Sequence, residues 1–586
     1  LANAEKGVFS RMKDLSGPVS FLSTSAKSML VLSAFVGLGV GLAAVLFRWM
    51  IDLFHGFFFT TLQGWLSFMG GYAIIIIPAI GAVLFSPLIY YFAREAKGHG
   101  VPEVMLAMEQ NGGRIRPIVA VVKSLASSLC IGSGGSAGRE GPVVQVGAAL
   151  GSTLGQFFNL NDEKIKNLVA CGAAGGIAAT FNAPIGGLFF ALEVILRDFS
   201  TRRLGNVVIA SVTASVIAKI FLGNEHFIAT PAYSINSPVE LVFYIGLGLV
   251  IAPCSIAFVR MLYKFEDVFE DLKTHELFKP VIGALLLGFL GLYFPQVFGV
   301  GYENIEGAVH ATMVLKFLLI LIPLKMLAVC FTLGSGGSGG VFAPSLVVGA
   351  LVGGAFGTIL AFLFPELGIQ PGAYALVGMA AFFAGAAHAP MAAFLIMFEL
   401  TGDYLIILPL MLSVTITTAL SERLHRESIY TLKLIRRGID VKKERVRDIM
   451  ESIKVGEILG KPSATVLPSA PIDEIIRLVE RENRASVTVV DKEGIFHGII
   501  TLDLIIPLLR NREHLLNVIV AEDIAKGVPC IEEGSSLKEA MRMLVESGMD
   551  ILPVVKKVGE GTKLTGTISK DDLLSAYRRE VAVRKG

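Results

Sequence analysis

The 586-residue sequence is short of charge, tryptophan and paired cysteine, and each shortage excludes something. Charged residues make only 17% of the chain, 51 Lys and Arg against 49 Asp and Glu. The formal net charge of +2 leaves no basic footprint for nucleic acid. Five cysteines (Cys130, Cys171, Cys254, Cys330, Cys530) are scattered without CxxC spacing, four of them in apolar segments, which excludes a disulfide framework and a thiolate zinc site. No HExxH pair or Walker loop occurs, so no metal ligand set and no enzyme activity is expected. The two tryptophans and the mostly Phe aromatics lie in apolar runs rather than between Lys and Arg as stacking platforms.

What is present is apolar surface. Hydrophobic residues make 53% of the chain and mean hydropathy is +0.67, which places it in a bilayer. Apolar segments run approximately over 29–54, 73–93, 117–131, 166–196, 205–222, 239–262, 279–298, 314–333, 345–364, 373–400 and 404–420. Several are too short to cross a ~30 Å hydrocarbon core. Broken, tilted or re-entrant helices are therefore expected, in line with 63 Gly and 24 Pro. A polar lead with Lys6, Arg11, Lys13 and Lys27 precedes the first apolar run, which argues against a cleaved signal peptide and for a cytoplasmic N-terminus.

The chain repeats itself. GSGGSAGREGPVVQVGAALG (132–151) aligns with GSGGSGGVFAPSLVVGALVG (334–353) at an offset of 202, with identity at 132–136, 138, 142, 146–148 and 151. Downstream, NAPIGGLFFALE (182–193) aligns with HAPMAAFLIMFE (388–399) at offset 206, pairing Glu193 with Glu399. An internal duplication in a hydrophobic chain predicts a transporter-type fold with its site between the repeats.

Glu140 lies among the first set of glycines with apolar helix on either side, and a carboxylate at membrane depth is costly enough to mark a functional position. Helix N-termini, each carrying about half a positive charge, hold an anion without a countercharge that would bind it too tightly. An ionised carboxylate there competes with the anion and a protonated one moves aside, which links anion movement to protons. The plainer alternative is a loop-end Glu paired with adjacent Arg139. From Met326 to Gly402 the ionic side chains are Glu366 and Glu399 alone, so an anion at the second glycine motif meets backbone and hydroxyl dipoles.

GHGVP (98–102), GREGP (138–142) and GVFAP (340–344), followed by Tyr430, resemble the anion-site signatures of the CLC family of chloride channels and chloride/proton antiporters. The resemblance spans nearly the whole chain. It implies an all-α polytopic membrane domain with an inverted-topology repeat, chloride and protons as the transported species, and a homodimer with one pathway per subunit. Glu140 is then the external gating glutamate. The backbone amides of Val341 and Phe342 and the Tyr430 hydroxyl coordinate the anion, with His99, Gly100, Arg139, Gly141 and Ala343 completing the set. His99 departs from the usual Ser of the first motif; it donates to the anion, tunes its identity or points away. The internal proton glutamate of the antiporters falls on Glu225 or, one residue back in register, Asn224. A passive voltage- or pH-gated chloride channel is the alternative within the family, and a CBS-bearing magnesium-type transporter the alternative outside it. Glu193 and Glu399 are expected to cap or bridge helix ends, and His388 to lie at a helix entry.

After Arg447 the pattern becomes that of a soluble α/β domain, after a stretch rich in Lys and Arg. Ala464–Leu467, Ser486–Val490 and Gly498–Thr501 read as strands, with helices at Ile472–Glu482 and from Asp503. A second copy follows in Leu537–Ser547, Ile551–Val555, Gly566–Ser569 and Asp571–Arg579. This pair resembles tandem CBS domains, which implies a cytoplasmic tail and a regulatory adenine nucleotide held by Ser569 and Asp572; no cofactor is expected for transport itself. The first copy departs, with Thr501, Asp503 and Leu504 at the matching positions. The expected organisation is an N-terminal segment 1–28, a membrane domain 29–425 with halves 29–222 and 239–425, a linker 426–450 and the CBS pair 451–582, in a multi-pass protein of the plasma or inner membrane with both termini cytoplasmic.

Overall fold

The computed structural model describes residues 26–199, 201–223, 233, 238–439, 450–451, 453–459, 464–482, 486–509, 519–558 and 561–585. Chain contacts divide the protein into two units between Ile439 and Asp440.

In the first unit, short helical turns aside, two series of eight helices follow the same order among the described residues. The first series is α1 (Ala26–Gly56), α2 (Ala73–Phe92), α3 (Val101–Gln110), α4 (Ile118–Gly132), α5 (Glu140–Phe157), α6 (Asp162–Phe181), α7 (Pro184–Phe190) and α8 (Thr201–Leu222). The second is α9 (Glu240–Asp271), α10 (Lys279–Tyr293), α11 (Tyr302–Val309), α12 (Leu315–Val329), α13 (Phe342–Leu363), α14 (Pro371–Ala387), α15 (Pro390–Thr401) and α16 (Ile407–Leu424). Seven spans among the described residues are long and apolar enough to cross a membrane, and shorter apolar helices lie between them. That mixture is what the broken apolar segments predict.

Helix boundaries are written in the same chemistry twice. α6 and α14 end on Asn182 and His388, each in the left-handed conformation with φ 53° and 54°, and α7 and α15 then start with Pro184 and Pro390 at their first turns. His388 thus stands at a helix end, as its sequence context predicts. Small residues let the paired helices touch: Gly147 of α5 meets Gly172 of α6, and Gly349 of α13 meets Gly378 of α14, so closely that a Cβ on either partner would strike the other's backbone carbonyl.

The halves are joined by reciprocal bonds. Gly138 N donates to Gly340 O at 2.7 Å and Gly340 N donates to Gly138 O at 2.6 Å, an antiparallel pair. Repeat-equivalent residues that exchange the same bond in opposite directions are related by a local two-fold axis, which the inverted repeat implied by the resemblance requires. The capping glutamates obey the same symmetry. Glu193 accepts from Met391 N at 3.2 Å and Ala392 N at 2.8 Å at the start of α15, while Glu399 accepts from Ile185 N at 3.0 Å and Gly186 N at 2.6 Å at the start of α7. Each repeat satisfies orphan N–H groups of the other.

The unit continues beyond residue 426, where the sequence predicts a linker. α17 (Thr431–Arg436) follows Tyr430 directly, and its basic residues and the Arg437 that ends it find acids of α9 and α3: Lys433 with Glu266 at 3.3 Å, Arg436 with Asp267, and Arg437 with Glu103 at 2.7 Å. These pairs explain why a Lys- and Arg-rich stretch belongs to the helical unit.

In the second unit two three-stranded sheets repeat one pattern. β1 (Thr465–Val466) runs parallel to β2 (Ser486–Val490), which pairs antiparallel with β3 (Phe496–Thr501). β4 (Ile531–Glu532), β5 (Ile551–Val558) and β6 (Gly561–Ser569) do the same. Both antiparallel ladders shift register at the same place, Val489/Val490 opposite Gly498 and Val554/Val555 opposite Gly566. The second hairpin is longer than its alternation predicts because Lys556–Val558 continue the pairing past the apolar run. Val466, Ile475, Val487 and Ile500 form one core; Ile531, Leu544, Val554 and Ile568 form the other.

Candidate functional site

Two residues beyond the paired glycines, helices begin: α5 at Glu140 and α13 at Phe342. The segment before α3 joins them, with Gly98 N donating to Gly337 O at 2.9 Å and Gly339 N donating to Gly98 O at 3.3 Å. A Cβ on Gly141 would collide with the His99 carbonyl and lie 2.9 Å from Gly340 Cα, so only glycine lets these segments touch. Three helix N-termini therefore converge, each with N–H groups that no intrahelical acceptor reaches.

Glu140 occupies this convergence. It is fully buried; Oε2 accepts from Ala343 N at 3.3 Å and Oε1 accepts from Tyr302 Oη at 2.9 Å. Both partners belong to the second repeat, so the carboxylate has more than the adjacent Arg139 beside it. Arg139 in turn lies over the Tyr302 ring, 5.2 Å from its centroid. Phe342 walls the site, its ring centroid 4.1 Å from Phe383, 5.1 Å from Phe181 and 6.4 Å from Phe190. Tyr430 packs edge-on against Phe190 at 6.4 Å.

His99 is turned inward beside Tyr430, with ring centroids 6.0 Å apart. Its Nε2 lies 3.4 Å from Tyr263 Oη, which donates to Ile429 O at 2.6 Å. The Nδ1 atom is buried without a hydrogen-bond partner, so this imidazole keeps an unused polar atom beside the phenol.

The structure thus brings Glu140, Arg139, Gly141, Val341, Phe342 and Ala343 together at the convergence, and His99, Gly100 and Tyr430 around it. Glu225 and Asn224 lie outside the described residues. Ser569 and Asp572 sit in the second unit and form a helix cap: Ser569 N and Oγ donate to Asp572 Oδ2 at 2.9 and 2.6 Å, and Asp572 N donates to Ser569 Oγ at 3.2 Å. In the first copy Thr501 Oγ1 donates to Asp503 Oδ2 at 3.3 Å.

Sequence reasoning missed Tyr302, Tyr263, Lys123 and Lys325. The two lysines had a signal, since they stand at the repeat's own offset of 202 within apolar helices. Each is fully buried beneath the loop that precedes a converging or equivalent helix. Lys123 Nζ donates to Ala96 O at 2.9 Å and Gly98 O at 2.7 Å; Lys325 Nζ donates to Val297 O and Gly299 O, both at 3.0 Å. The tyrosines had none, because their partners are more than 160 residues away in sequence.

Residues 80–422 match the family model described as voltage gated chloride channel, and residues 455–511 and 520–579 each match the CBS domain. The chain belongs to the CLC family. The second unit is its tandem CBS pair, and the first is an integral membrane domain. Among similar CLC proteins, the H(+)/Cl(-) exchange transporter ClcA of Vibrio cholerae is 32% identical over 440 residues, covering 72% of this chain and 92% of the relative. The chloride channel protein CLC-e of Arabidopsis thaliana is 29% identical over 549 residues, covering 83% of this chain and 77% of the relative. A slow cyanobacterial Cl-/H+ antiporter superposes with a TM-score of 0.65 at 26% identity over 70% of this chain and 97% of that one. A eukaryotic CLC transporter shares the fold at a TM-score of 0.58 and 20% identity, over 93% of this chain and 97% of that one.

Proposed function

We propose that the protein exchanges chloride for protons through a pathway in each subunit that Glu140 gates. The observation that carries this reading is the Glu140 carboxylate on the Ala343 N–H at the start of α13, where an anion would find the same donors. A side-chain anion and a free anion compete for one place, so chloride enters as the carboxylate leaves, and protonation releases the carboxylate by removing its charge. Val341, Phe342, Gly100 and Gly141 contribute backbone to the cradle, Arg139 a cation at its outer side, and Tyr430 with His99 the inner end. The exchange transporters among the relatives support antiport over a passive channel.

Glu225, or Asn224 in its place, remains the proposed position for inner proton delivery, though the reading rests on Glu140. A homodimer in the plasma or inner membrane with cytoplasmic termini completes the proposal. Ser569 and Asp572 are the proposed ribose contact of a regulatory adenine nucleotide, with no cofactor needed for the exchange itself.

The test is reconstitution into liposomes under a chloride gradient, with chloride and proton fluxes recorded together. Proton uptake driven by chloride efflux is expected, and Glu140→Gln is expected to abolish it while chloride still passes. Chloride flux with no proton movement under any gradient would make the protein a passive channel and refute antiport.

A further inference from the structure

We infer that Tyr302 is the latch that holds the Glu140 carboxylate in the anion's place. The inference rests on the gating role proposed for Glu140 and adds a residue from the opposite repeat. Tyr302 is the first residue of α11, and its hydroxyl donates to Glu140 Oε1 at 2.9 Å while Ala343 N donates to Oε2. One oxygen of the gate is thus bound by a helix N-terminus that any anion could use. The other is bound by a side-chain hydroxyl 162 residues away in sequence, placed where it meets the gate itself.

The position of the phenol is built. Lys325 holds the carbonyls of Val297 and Gly299, fixing the loop that leads into α11, and Asn304 Nδ2 donates to Gln296 O at 2.8 Å across the same loop. Arg139 lies over the ring from the other side, so the phenol is clamped between its own helix and the start of α5. The charged and titratable groups facing Glu140 are Arg139 beside it, Tyr302 from α11 and, further inward, Tyr430; α13 presents the Ala343 amide.

The consequence has a definite sign. A hydroxyl donor favours the ionised carboxylate over the protonated one, because only the former is a full acceptor at both oxygens. Tyr302 therefore keeps the gate closed until the external proton concentration is high enough to release it, and in doing so raises the chloride concentration needed to displace the carboxylate. Without the hydroxyl, the gate opens at lower proton concentration and chloride competes better.

The experiment is the external-pH profile of chloride flux in liposomes for the parent protein and Tyr302→Phe, each with and without Glu140→Gln. Tyr302→Phe is expected to move the half-maximal flux upward by about one pH unit, a tenfold change in proton concentration typical of one charge-assisted bond. In the Glu140→Gln background the same substitution is expected to move nothing, which a merely structural role for the ring would not reproduce. Tyr302→His, which restores a donor, is expected to bring the midpoint back toward the parent. Tyr302→Leu, a second variant without a hydroxyl, carries the same expectation as Tyr302→Phe should the latter fail to fold. Profiles of the hydroxyl-free variants that superimpose on the parent, with Glu140→Gln uncoupled, would overturn the latch and leave the gate. Intact proton coupling in Glu140→Gln would overturn the gate and the latch with it.

Discussion

Lys123 and Lys325 offer the sharpest test of how each repeat anchors its own loop. Each ammonium is buried in an apolar helix and donates to two carbonyls of the loop before the preceding short helix, α3 or α11, at distances of 2.7 to 3.0 Å. Lys325→Met keeps the stem and removes the donors. The buried Val297 carbonyl and the partly buried Gly299 carbonyl then lose this donor, at about 1–3 kcal/mol each. Against this the protein no longer desolvates an ammonium, which recovers part of that loss, so the net destabilisation is expected near ~2–4 kcal/mol. Lys123→Met is expected to cost less, because Ala96 O keeps the Ser338 Oγ donor at 2.8 Å. The two lysines share no carbonyl, so the double variant is expected to show the sum to within about 0.5 kcal/mol. Denaturant unfolding of the detergent-solubilised protein measures all three. A loss below about 0.5 kcal/mol in both single variants would refute the assignment of these bonds as a support of the fold.

Two further predictions concern the cap and the inner site. Glu399→Ala removes the acceptor from Ile185 N and Gly186 N and is expected to destabilise by ~1 kcal/mol, a figure kept low because the carboxylate is only partly buried; Glu193→Ala is expected to match it, and unequal losses in the same unfolding assay would argue against the symmetric capping. His99→Ser removes the unused Nδ1 beside Tyr430 and is expected to change the flux ratio among chloride, nitrate and fluoride at least severalfold, whereas identical ratios would place the imidazole outside the anion's reach.

The local alphabet of the fold was legible. Ser486–Val490, Ile472–Glu482 and Leu537–Ser547 match their sequence readings because alternation and helical spacing are short-range properties. Glu193 and Glu399 stood out by their equivalent places in the repeat, and the family resemblance implied their helix-end role. The α17 boundary was not, because a basic stretch reads as solvated until Glu266, Asp267 and Glu103 are known to face it.

Composition and repeat offset were enough to recognise a duplicated membrane protein, and motif order carried the resemblance that implied the CBS pair and marked Glu140 and the glycine motifs as one candidate site, since all three are properties of the chain. Tertiary structure alone decided that Gly138 and Gly340 pair across the repeat, that Ala343 and Tyr302 share the Glu140 carboxylate, and that two buried lysines hold the loops before α3 and α11. The glycine pair and the bonds to Glu140 join residues 162 to 203 positions apart, and pairing at that distance is fixed by how helices pack rather than by any pattern a single segment can carry.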